Sequence, residues 1–352
     1  VKISGDIFKN LENYLLKSNQ LGPYVFIIDE FIYEKYFCKN TSIFEKDGFF
    51  LYVLPGKKNN KSFYSALKVF EYLDFKNIST DSTIVAVGGG VVGDLAGLLS
   101  SCWYRGVDLI HVPTTLLSAV DSCLGGKTAI NFRETVNAVG SYHHPKEILI
   151  DTQILTELPS REISSGFGEI IKYGMIGCER IISILESKDF ELSTSIDELI
   201  ELSLKEKERF VKDDIKETSN RLSLNFGHTI GHAIEFSTIF NGEETLRHGE
   251  GVGLGMLAIF RIAVQLNYLA EDDLKLLRSL LTKFSLPISF NATSMGLSRD
   301  SLVDRVVRLC LKDKKRVKSD LRLILLEGIG NPVIYKTSDE ELIAKGIREV
   351  LL

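Results

Sequence analysis

A glycine-rich turn directly follows a buried strand in the first third of the chain. Residues 83–97 read T-I-V-A-V-G-G-G-V-V-G-D-L-A-G, and Gly88, Gly90 and Gly93 have G-x-G-x-x-G spacing. Glycines here let backbone N–H groups approach a pyrophosphate, and the N-terminus of the following helix adds a favourable dipole. The segment therefore predicts a strand, a turn and a helix, and it favours a dinucleotide site. The alternative is a tight turn at which the helix packs closely on the sheet.

Apolar runs alternate with helix-length segments through the first half of the chain, which is typical of an α/β domain with a mostly parallel sheet. Beyond Pro159 helical periodicity dominates. We therefore expect an α/β domain over residues 1–160 and a mainly helical domain over residues 161–352. The strands are expected at 24–28, 49–53, 83–87, 109–112, 148–150, 321–326 and 333–335, and helices at 181–185, 196–210, 231–236, 252–266 and 274–284.

Bulk composition restricts the class of protein. The chain has 352 residues, 44% of them hydrophobic and 25% charged, as in ordinary soluble globular proteins. The net charge of −5 argues against nucleic acid or an anionic membrane as a main partner. Five widely spaced cysteines without a C-x-x-C pair are typical of a reduced, cytoplasmic protein. The start of the chain shows no signal peptide, and the longest apolar run, residues 251–260, is too short to span a bilayer.

Two aspartates are candidates for binding the ribose of a dinucleotide. Asp108 lies about twenty residues beyond the glycine-rich turn, where such an acid is expected. It stands at the head of a strand, however, and ligands bind at the carboxyl ends of parallel strands. Asp29 ends the strand expected at 24–28 and is therefore the better candidate.

Three of the six histidines fall between His228 and His248. His228 and His232 are four residues apart, so a helix would place both imidazoles on one face. His248 follows in R-H-G-E-G, and Glu169 lies upstream in G-F-G-E-I-I-K. Paired histidines and a distant carboxylate can form a metal site with room for substrate. The alternative is a pair of hydrogen-bonded, half-buried helix histidines, because His-x3-His without an adjacent Glu is a weak motif.

Cationic side chains accumulate after the glycine-rich turn. Each alone is most often a solvated surface charge, but Lys127 follows a Gly-Gly pair and Arg221 closely precedes the histidines, so these two are better candidates for anion binding. Asp121 lies in the apolar run 116–122, where a buried carboxylate needs a partner or a function. The other cations are Arg105, Lys172, Lys207, Lys314 and Lys315.

These motifs, in this order and from about residue 24 to 330, resemble those of the 3-dehydroquinate synthase family of sugar phosphate cyclases. The resemblance implies a Rossmann-like α/β NAD-binding domain ahead of a mainly helical domain, in a cytoplasmic homodimer that uses NAD+ and one divalent metal, Zn²⁺ or alternatively Co²⁺. It is carried by V-G-G-G-V-V-G-D-L-A-G, Y-R-G, V-P-T-T-L-L-S-A-V-D-S, G-G-K-T, F-G-E-I-I-K-Y-G, L-N-F-G-H-T-I-G-H-A-I-E and H-G-E-G-V.

The reaction implied by the resemblance belongs to the shikimate pathway of aromatic amino acid biosynthesis. Family members convert the seven-carbon sugar acid phosphate DAHP to 3-dehydroquinate and phosphate, which makes the chain a carbon–oxygen lyase. NAD+ oxidises an alcohol transiently, phosphate is eliminated, and the hydride returns before ring opening and an intramolecular aldol step. NAD therefore acts as a transient catalyst.

The resemblance also implies roles for individual residues of the helical half. The metal ligands are Glu169, His228 and His248, whereas His232 faces the substrate phosphate. Proton transfer belongs to Glu217 and His232, and Lys172 and Asp121 line the same catalytic pocket.

Substrate and cofactor contacts are implied in the same way. Lys207 and Arg221 bind the substrate carboxylate, and Arg105 reaches across the dimer. The phosphate side is served by Lys127, Asn137, Asn225 and one of Lys314 or Lys315. The cofactor contacts are Asp29, Lys61, Gly89, Gly90, Val91, Asp94, Thr114, Thr115, Asp121, Ser122, Lys127 and Glu162.

Three residues depart from the family pattern on the cofactor side. Lys58 stands where a Glu is expected, Val136 replaces a Lys, and Glu157 replaces a Thr. One hypothesis is a charge rearrangement in which a cation is lost at Val136 and another gained at Lys58, so that the adenosine end of NAD is held differently. The alternative is drift at peripheral contacts.

Three other functions are compatible with parts of this pattern. Another sugar phosphate cyclase, of the 2-deoxy-scyllo-inosose or valiolone synthase type, would act on a neutral sugar phosphate and have less use for Lys207 and Arg221. A metal-dependent alcohol or glycerol dehydrogenase would accumulate NADH. A catalytically inactive, NAD-binding paralogue would account for the cofactor-side departures, but not for intact metal ligands.

Overall fold

The computed structural model describes residues 1–17, 22–39, 41–133, 135–240, 243–312 and 321–352. The candidate phosphate ligands Lys314 and Lys315 lie outside these ranges, as does the side chain of Lys58. The chain divides into an N-terminal unit, Val1–Leu158, and a C-terminal unit, Pro159–Leu352. Among the described residues, no helix combines the length and apolarity that crossing a membrane would require.

A parallel sheet forms the centre of the N-terminal unit. Within the described ranges it has six strands in the order β1-β8-β5-β4-β2-β3, and an antiparallel hairpin of β6 and β7 lies outside it. The strands are β1 Lys2–Ser4, β2 Tyr24–Asp29, β3 Phe49–Leu54, β4 Thr83–Gly88, β5 Asp108–Pro113, β6 Lys127–Phe132, β7 Thr135–Tyr142 and β8 Glu147–Asp151.

Helices cover both faces of this sheet. Alternate residues of β2 point to opposite faces, so Val25 and Ile27 belong to one apolar cluster and Phe26 and Ile28 to another. Because both faces are buried, the strands read as continuous apolar runs rather than alternating ones. The helices of this unit are α1 Leu11–Leu16, α2 Glu30–Ile32, α3 Phe63–Phe75, α4 Gly90–Cys102 and α5 Thr152–Thr156.

The strand order reverses direction at β2, which has β3 on one side and β4 on the other. In open α/β sheets, ligands bind outside the carboxyl ends of the strands at such a switch point. Asp29 is the last residue of β2, and Gly89 follows β4. The topology therefore brings the expected ribose-binding acid and the glycine-rich turn to the same edge of the sheet.

The C-terminal unit is mainly helical, which with the parallel sheet of the N-terminal unit confirms the predicted fold class. An antiparallel pair, β9 Leu321–Leu326 and β10 Pro332–Thr337, accompanies the helices. The helices are α6 Ser160–Ile176, α7 Glu179–Glu186, α8 Leu192–Val211, α9 His228–Ser237, α10 His248–Gln265, α11 Glu271–Lys283, α12 Arg299–Lys312 and α13 Glu340–Arg348.

Glycines allow α10 to pack closely against its neighbours. A Cβ atom on Gly249 would lie 1.8 Å from the carbonyl oxygen of Ser165 in α6. A Cβ on Gly255 would lie 1.9 Å from the carbonyl oxygen of Gly227, the residue before α9. Neither approach leaves room for a side chain. Helices α6, α9 and α10 consequently carry their polar residues to one place.

Candidate functional site

A carboxylate and three imidazoles from α6, α9 and α10 converge in the C-terminal unit. Oε1 of Glu169 lies 3.2 Å from Nε2 of His228 and 3.3 Å from Nε2 of His248. Ligand atoms of His228, His232 and His248 all lie within 4.8 Å of one another. The sequence separates Glu169 from these histidines widely, and it is the close helix packing that joins them.

This donor set fits a zinc-type ion. Tetrahedral zinc, with bonds of about 2.0–2.2 Å, separates neighbouring ligand atoms by roughly 3.3–3.6 Å. The two Glu169 distances are close to that spacing. Two imidazoles and one carboxylate also leave coordination positions for a substrate, as in catalytic zinc sites. Because His232 lies within the same group of ligand atoms, the distances alone do not separate its role from that of His228.

An oxygen atom lies beside Nδ1 of each candidate histidine ligand. Nδ1 of His228 lies 3.0 Å from the carbonyl oxygen of Phe226, and Nδ1 of His248 lies 3.6 Å from Oε2 of Glu235. When Nδ1 donates, Nε2 is left as the lone-pair nitrogen that a metal binds. Both Nε2 atoms face Glu169. No sequence pattern assigned a role to Glu235, although this residue ends the H-T-I-G-H-A-I-E motif.

Buried charge controls the protonation of this cluster. Burial opposes ionisation of the fully buried Glu169, but the ammonium group of Lys172, which forms an ion pair with it, and the adjacent histidines hold its pKa well below the usual range. Burial likewise opposes protonation of His248, yet Glu169 and Glu235 raise its pKa to about 10. A metal ion would therefore meet an ionised carboxylate and displace a proton from His248.

Candidate substrate groups lie in the same unit. Lys207 of α8 and Arg221 are buried, with 7% and 1% of their surfaces exposed. The amide of Asn225 donates a 2.7 Å hydrogen bond to Oε1 of Glu217, so the candidate proton-transfer and phosphate-side residues are in direct contact. Glu162 forms an ion pair with Arg247 at 3.0 Å.

The glycine-rich turn of the N-terminal unit is built for close approach to α4. Helix α4 begins at Gly90, and its N-cap, Gly89, provides no side-chain hydrogen bond to the first turn. A Cβ on Gly89 would approach the Thr115 methyl to 3.1 Å. Gly89, Asp94 and Ser122 line one small cavity, which places three candidate cofactor contacts together. The open first turn can receive a phosphate.

Asp29 caps α2 at the same edge of the sheet. Its Oδ1 accepts hydrogen bonds from the backbone N–H of Phe31 at 3.0 Å and of Ile32 at 3.4 Å. Its Oδ2 approaches Gly56, where an added Cβ would be only 1.7 Å away. Burial raises the pKa of Asp29, although the two backbone N–H groups act against it. The other candidate, Asp108, heads β5 and pairs with Lys146 at 2.6 Å.

Lys61 joins residues that the family resemblance assigns to different ligands. Its ammonium group contacts Oδ2 of Asp94 and Oδ1 of Asn137, and only 8% of Lys61 is exposed. Asn137 has a positive φ of 54°. Its backbone N–H donates a 3.0 Å hydrogen bond to Oδ1 of Asn131. A cofactor-side cation is thus held between the glycine-rich helix and the β6–β7 hairpin.

The remaining candidates of the N-terminal unit differ in how deeply they are buried. Thr114 is buried and donates its N–H to the carbonyl oxygen of Gly88 at 3.0 Å. Asp121 is half-buried in the π-helical turn Ser118–Ser122. Val91 is half-buried in the first turn of α4, whereas Lys127 and Arg105 are exposed, Arg105 with a φ of 71°.

Of the departures from the family pattern, Glu157 and Val136 fall in the described part of the chain with their side chains. Oε2 of Glu157 lies 3.0 Å from Nζ of Lys35 and accepts a 2.8 Å hydrogen bond from the Tyr36 hydroxyl. These partners lower the pKa of Glu157. Val136 is 47% exposed on β7. Glu157 therefore already forms an ion pair with Lys35.

Comparisons with known proteins cover both units. Family models described as 3-dehydroquinate synthase N-terminal and C-terminal match residues 51–165 and 166–316. The chain is similar to 3-dehydroquinate synthase of Thermoanaerobacter pseudethanolicus, with 35% identity over 336 residues, 94% of this chain and 91% of that protein. It is also similar to the Clostridium perfringens (strain SM101) enzyme of that name, with 40% identity over 302 residues, 84% of this chain and 83% of that one.

A solved structure is also similar to this chain, at lower sequence identity. The structure of 2-deoxy-scyllo-inosose synthase complexed with carbaglucose-6-phosphate, NAD+ and Co²⁺ has a TM-score of 0.82 and 27% identity, covering 99% of this chain and 96% of that one. The higher identities and the two family models agree with the motifs of the sequence. This chain belongs to the 3-dehydroquinate synthase family.

Proposed function

We propose that this chain converts DAHP to 3-dehydroquinate and phosphate with NAD+ and one divalent metal, Zn²⁺ with Co²⁺ as an alternative. The observation that supports it most directly is the placement of Glu169 within 3.3 Å of Nε2 of both His228 and His248. A protein that only binds a nucleotide has no use for a buried carboxylate–imidazole set of this kind. Family membership supplies the substrate class, and the similar cyclase that contains NAD+ and Co²⁺ supports the cofactors.

Glu169, His228 and His248 would hold the metal, which supplies Lewis-acid polarisation of the alcohol to be oxidised. Lys172 keeps Glu169 ionised, because its ammonium group pairs with the buried carboxylate. The Phe226 carbonyl and the Glu235 carboxylate lie beside Nδ1 of His228 and His248, and Nε2 of each ring is directed at Glu169, where it would be available to a metal. The chain thereby provides a preformed site with an ionised carboxylate.

Gly89, Gly90 and the first turn of α4 would bind the pyrophosphate of NAD through backbone N–H groups. Asp29 would accept hydrogen bonds from a ribose at the carboxyl end of β2, with Thr114, Thr115 and Ser122 beside the turn. NAD+ held there would supply reversible hydride transfer within one turnover. Tight retention is consequently more useful than release.

Lys207 and Arg221 would bind the substrate carboxylate. Both are buried cations in the C-terminal unit, and cations of this kind form strong charge-assisted hydrogen bonds with a carboxylate, which favours an acidic sugar phosphate over a neutral one. Glu217, fixed by Asn225, and His232 would move protons during elimination and ring closure. Lys127, Asn137 and Asn225 would serve the phosphate.

One assay tests this proposal. DAHP is supplied with catalytic NAD+ and Zn²⁺, and phosphate and dehydroquinate are both measured, with glucose 6-phosphate as the neutral sugar phosphate. We expect equal amounts of both products from DAHP and no net NADH. Phosphate release without dehydroquinate, or release from glucose 6-phosphate but not from DAHP, would overturn the substrate assignment. Accumulating NADH would indicate a dehydrogenase.

We also propose that the chain acts as a homodimer in which Arg105 serves the partner's site. Arg105 is exposed in this structure, as such a role requires. Mixing an Arg105→Ala chain with a chain inactivated by Glu169→Ala should restore part of the activity through heterodimers. Sedimentation of the wild type as a monomer at assay concentrations would contradict the proposal.

A further inference from the structure

We infer that Asp214 is a positioning residue that shapes the loop of residues 214–221 and thereby sets Glu217 and Arg221 in their working geometry. The roles of Glu217 and Arg221 rest on the proposed function. Asp214 itself lies after α8 and is 5% exposed. No sequence motif assigned it a role.

Both oxygens of the Asp214 carboxylate are used by the loop. Oδ1 accepts from the backbone N–H of Thr218 at 2.8 Å and from its hydroxyl at 3.1 Å. Oδ2 accepts from the backbone N–H of Ser219 at 2.7 Å and of Arg221 at 3.1 Å. A single side chain therefore accepts hydrogen bonds from three backbone N–H groups of the loop, as aspartates at turns commonly do.

The loop holds Glu217 in an unfavourable backbone conformation. Its φ is 58°, which non-glycine residues adopt rarely. The N–H of Glu217 lies 3.3 Å from the carbonyl oxygen of Asp214, and the following residue is tied to the Asp214 carboxylate. Such a conformation persists when its surroundings over-determine it. It directs the Glu217 carboxylate to the Asn225 amide, 2.7 Å away.

The same loop fixes Arg221. Its backbone N–H ends the set of donors to Asp214, and its Nη1 donates to the carbonyl oxygen of Ile215 at 2.8 Å. The guanidinium group is thus held by a carbonyl whose position depends on the folded loop. One carboxylate therefore controls a candidate proton-transfer residue and a candidate carboxylate-binding residue together.

Asp214 acts through these residues and not as an acid or base. The N–H donors of Thr218, Ser219 and Arg221 outweigh its burial and keep its pKa well below the usual range. The carboxylate is accordingly ionised throughout the neutral range. The direct contacts described above are to the loop backbone and the Thr218 hydroxyl.

The first test needs no substrate. Amide hydrogen exchange is compared in the wild type, in Asp214→Asn and in Asp213→Asn, the matched change at the exposed neighbouring aspartate. An amide in place of one carboxylate oxygen faces N–H donors, so we expect exchange at Thr218, Ser219 and Arg221 to rise about tenfold or more in Asp214→Asn alone. Unchanged protection in that variant would overturn the inference.

A double-mutant cycle supplies the second test. We expect Asp214→Asn to lower kcat/KM about 10- to 100-fold in the wild type and by a factor at least about threefold smaller in a Glu217→Gln background, because the part of the effect that acts through Glu217 is already lost there and only the part through Arg221 remains. The same fold-loss in both backgrounds would show a merely structural role. Zinc affinity should stay within about twofold, because the loop supplies no ligand.

Thr218→Val gives a milder version should Asp214→Asn fail to fold. It removes only the hydroxyl donor to Oδ1, and we expect faster exchange of the Thr218 amide with zinc affinity unchanged. No change in exchange would count against the inference. A wild type that forms no dehydroquinate would refute the proposed function and leave the exchange result standing.

Discussion

Oε2 of Glu235 lies 3.6 Å from Nδ1 of His248, on the ring edge opposite the nitrogen that faces Glu169. Helix α10 leaves room for this carboxylate because residue 251 is glycine, where a Cβ would fall 2.5 Å from Cγ of Glu235. A carboxylate behind a ligating imidazole fixes its tautomer and makes the opposite nitrogen a better donor. Glu235 should therefore contribute to metal affinity without touching the metal.

Glu235→Gln tests this contribution. The amide keeps the shape but loses the charge, and we expect zinc affinity to fall about 10- to 100-fold. Competition with a chromophoric chelator measures it, and the visible spectrum of the Co²⁺-loaded protein should change as well. Glu340→Gln, at an exposed position on α13, is the matched control. Equal affinities in the two variants would assign Glu235 a packing role only.

Replacing His228 or His232 by alanine should affect zinc affinity differently. We expect His228→Ala to lose more than about 100-fold in zinc affinity, because one of three protein ligands is gone. His232→Ala should keep zinc within a fewfold of the wild type and lose phosphate release from DAHP. Equal zinc loss in the two variants would show that His232 is a ligand and that the division of roles is wrong.

Local periodicity explains how much of the fold could be predicted. The five strands expected in the first half are present because each is a continuous apolar run; four are mostly buried, and β3 is half-buried except for Leu54. The β6–β7 hairpin was not predicted, since most of β7 is exposed and lacks an apolar face. Strand β1, Lys2–Ser4, is too short for a pattern.

Local sequence patterns predicted less of the site than of the fold. Spacing alone paired His228 with His232, but it could not place Glu169 beside His228 and His248, because that depends on α6 and α10 meeting at Gly249. Residue roles came from the family resemblance and stay predictions. Asp214 was detectable in principle, because an aspartate followed by Thr218 and Ser219 is a turn signal.

Val136→Lys tests the hypothesis of rearranged charge at the cofactor. Residue 136 is about half exposed, and a lysine there would restore the family's cofactor-side cation. An exposed ion pair is worth up to about 1 kcal/mol, so NAD affinity should rise by about two- to fivefold. Thr135→Lys, on the neighbouring exposed residue, controls for added charge. Identical affinities for wild type and Val136→Lys would favour drift at a peripheral contact.

His111 on β5 makes the stability of the N-terminal unit depend on pH. Burial, with a smaller effect from the nearby His143, lowers the pKa of His111 from 6.5 to about 4. The ring is confined by α4, since a Cβ on Gly93 would approach Cε1 to 3.2 Å. Between these two pKa values the unfolded chain binds a proton at this histidine and the folded chain does not.

The contribution of His111 to the free energy of unfolding should therefore be fully present above pH 6.5. It should decrease as the pH falls towards 4, because protonation favours the unfolded state. The shift corresponds to about 3 kcal/mol in the free energy of unfolding. Urea unfolding at pH 7.5 and 5 measures it in the wild type and in His111→Gln. Carboxylates also titrate in this range, so the difference between the two slopes is the quantity of interest. We expect the free energy of unfolding to depend less steeply on pH in His111→Gln than in the wild type. The control His144→Gln, at an exposed residue, should match the wild type. The same pH dependence in all three proteins would mean that His111 is protonated in the folded state.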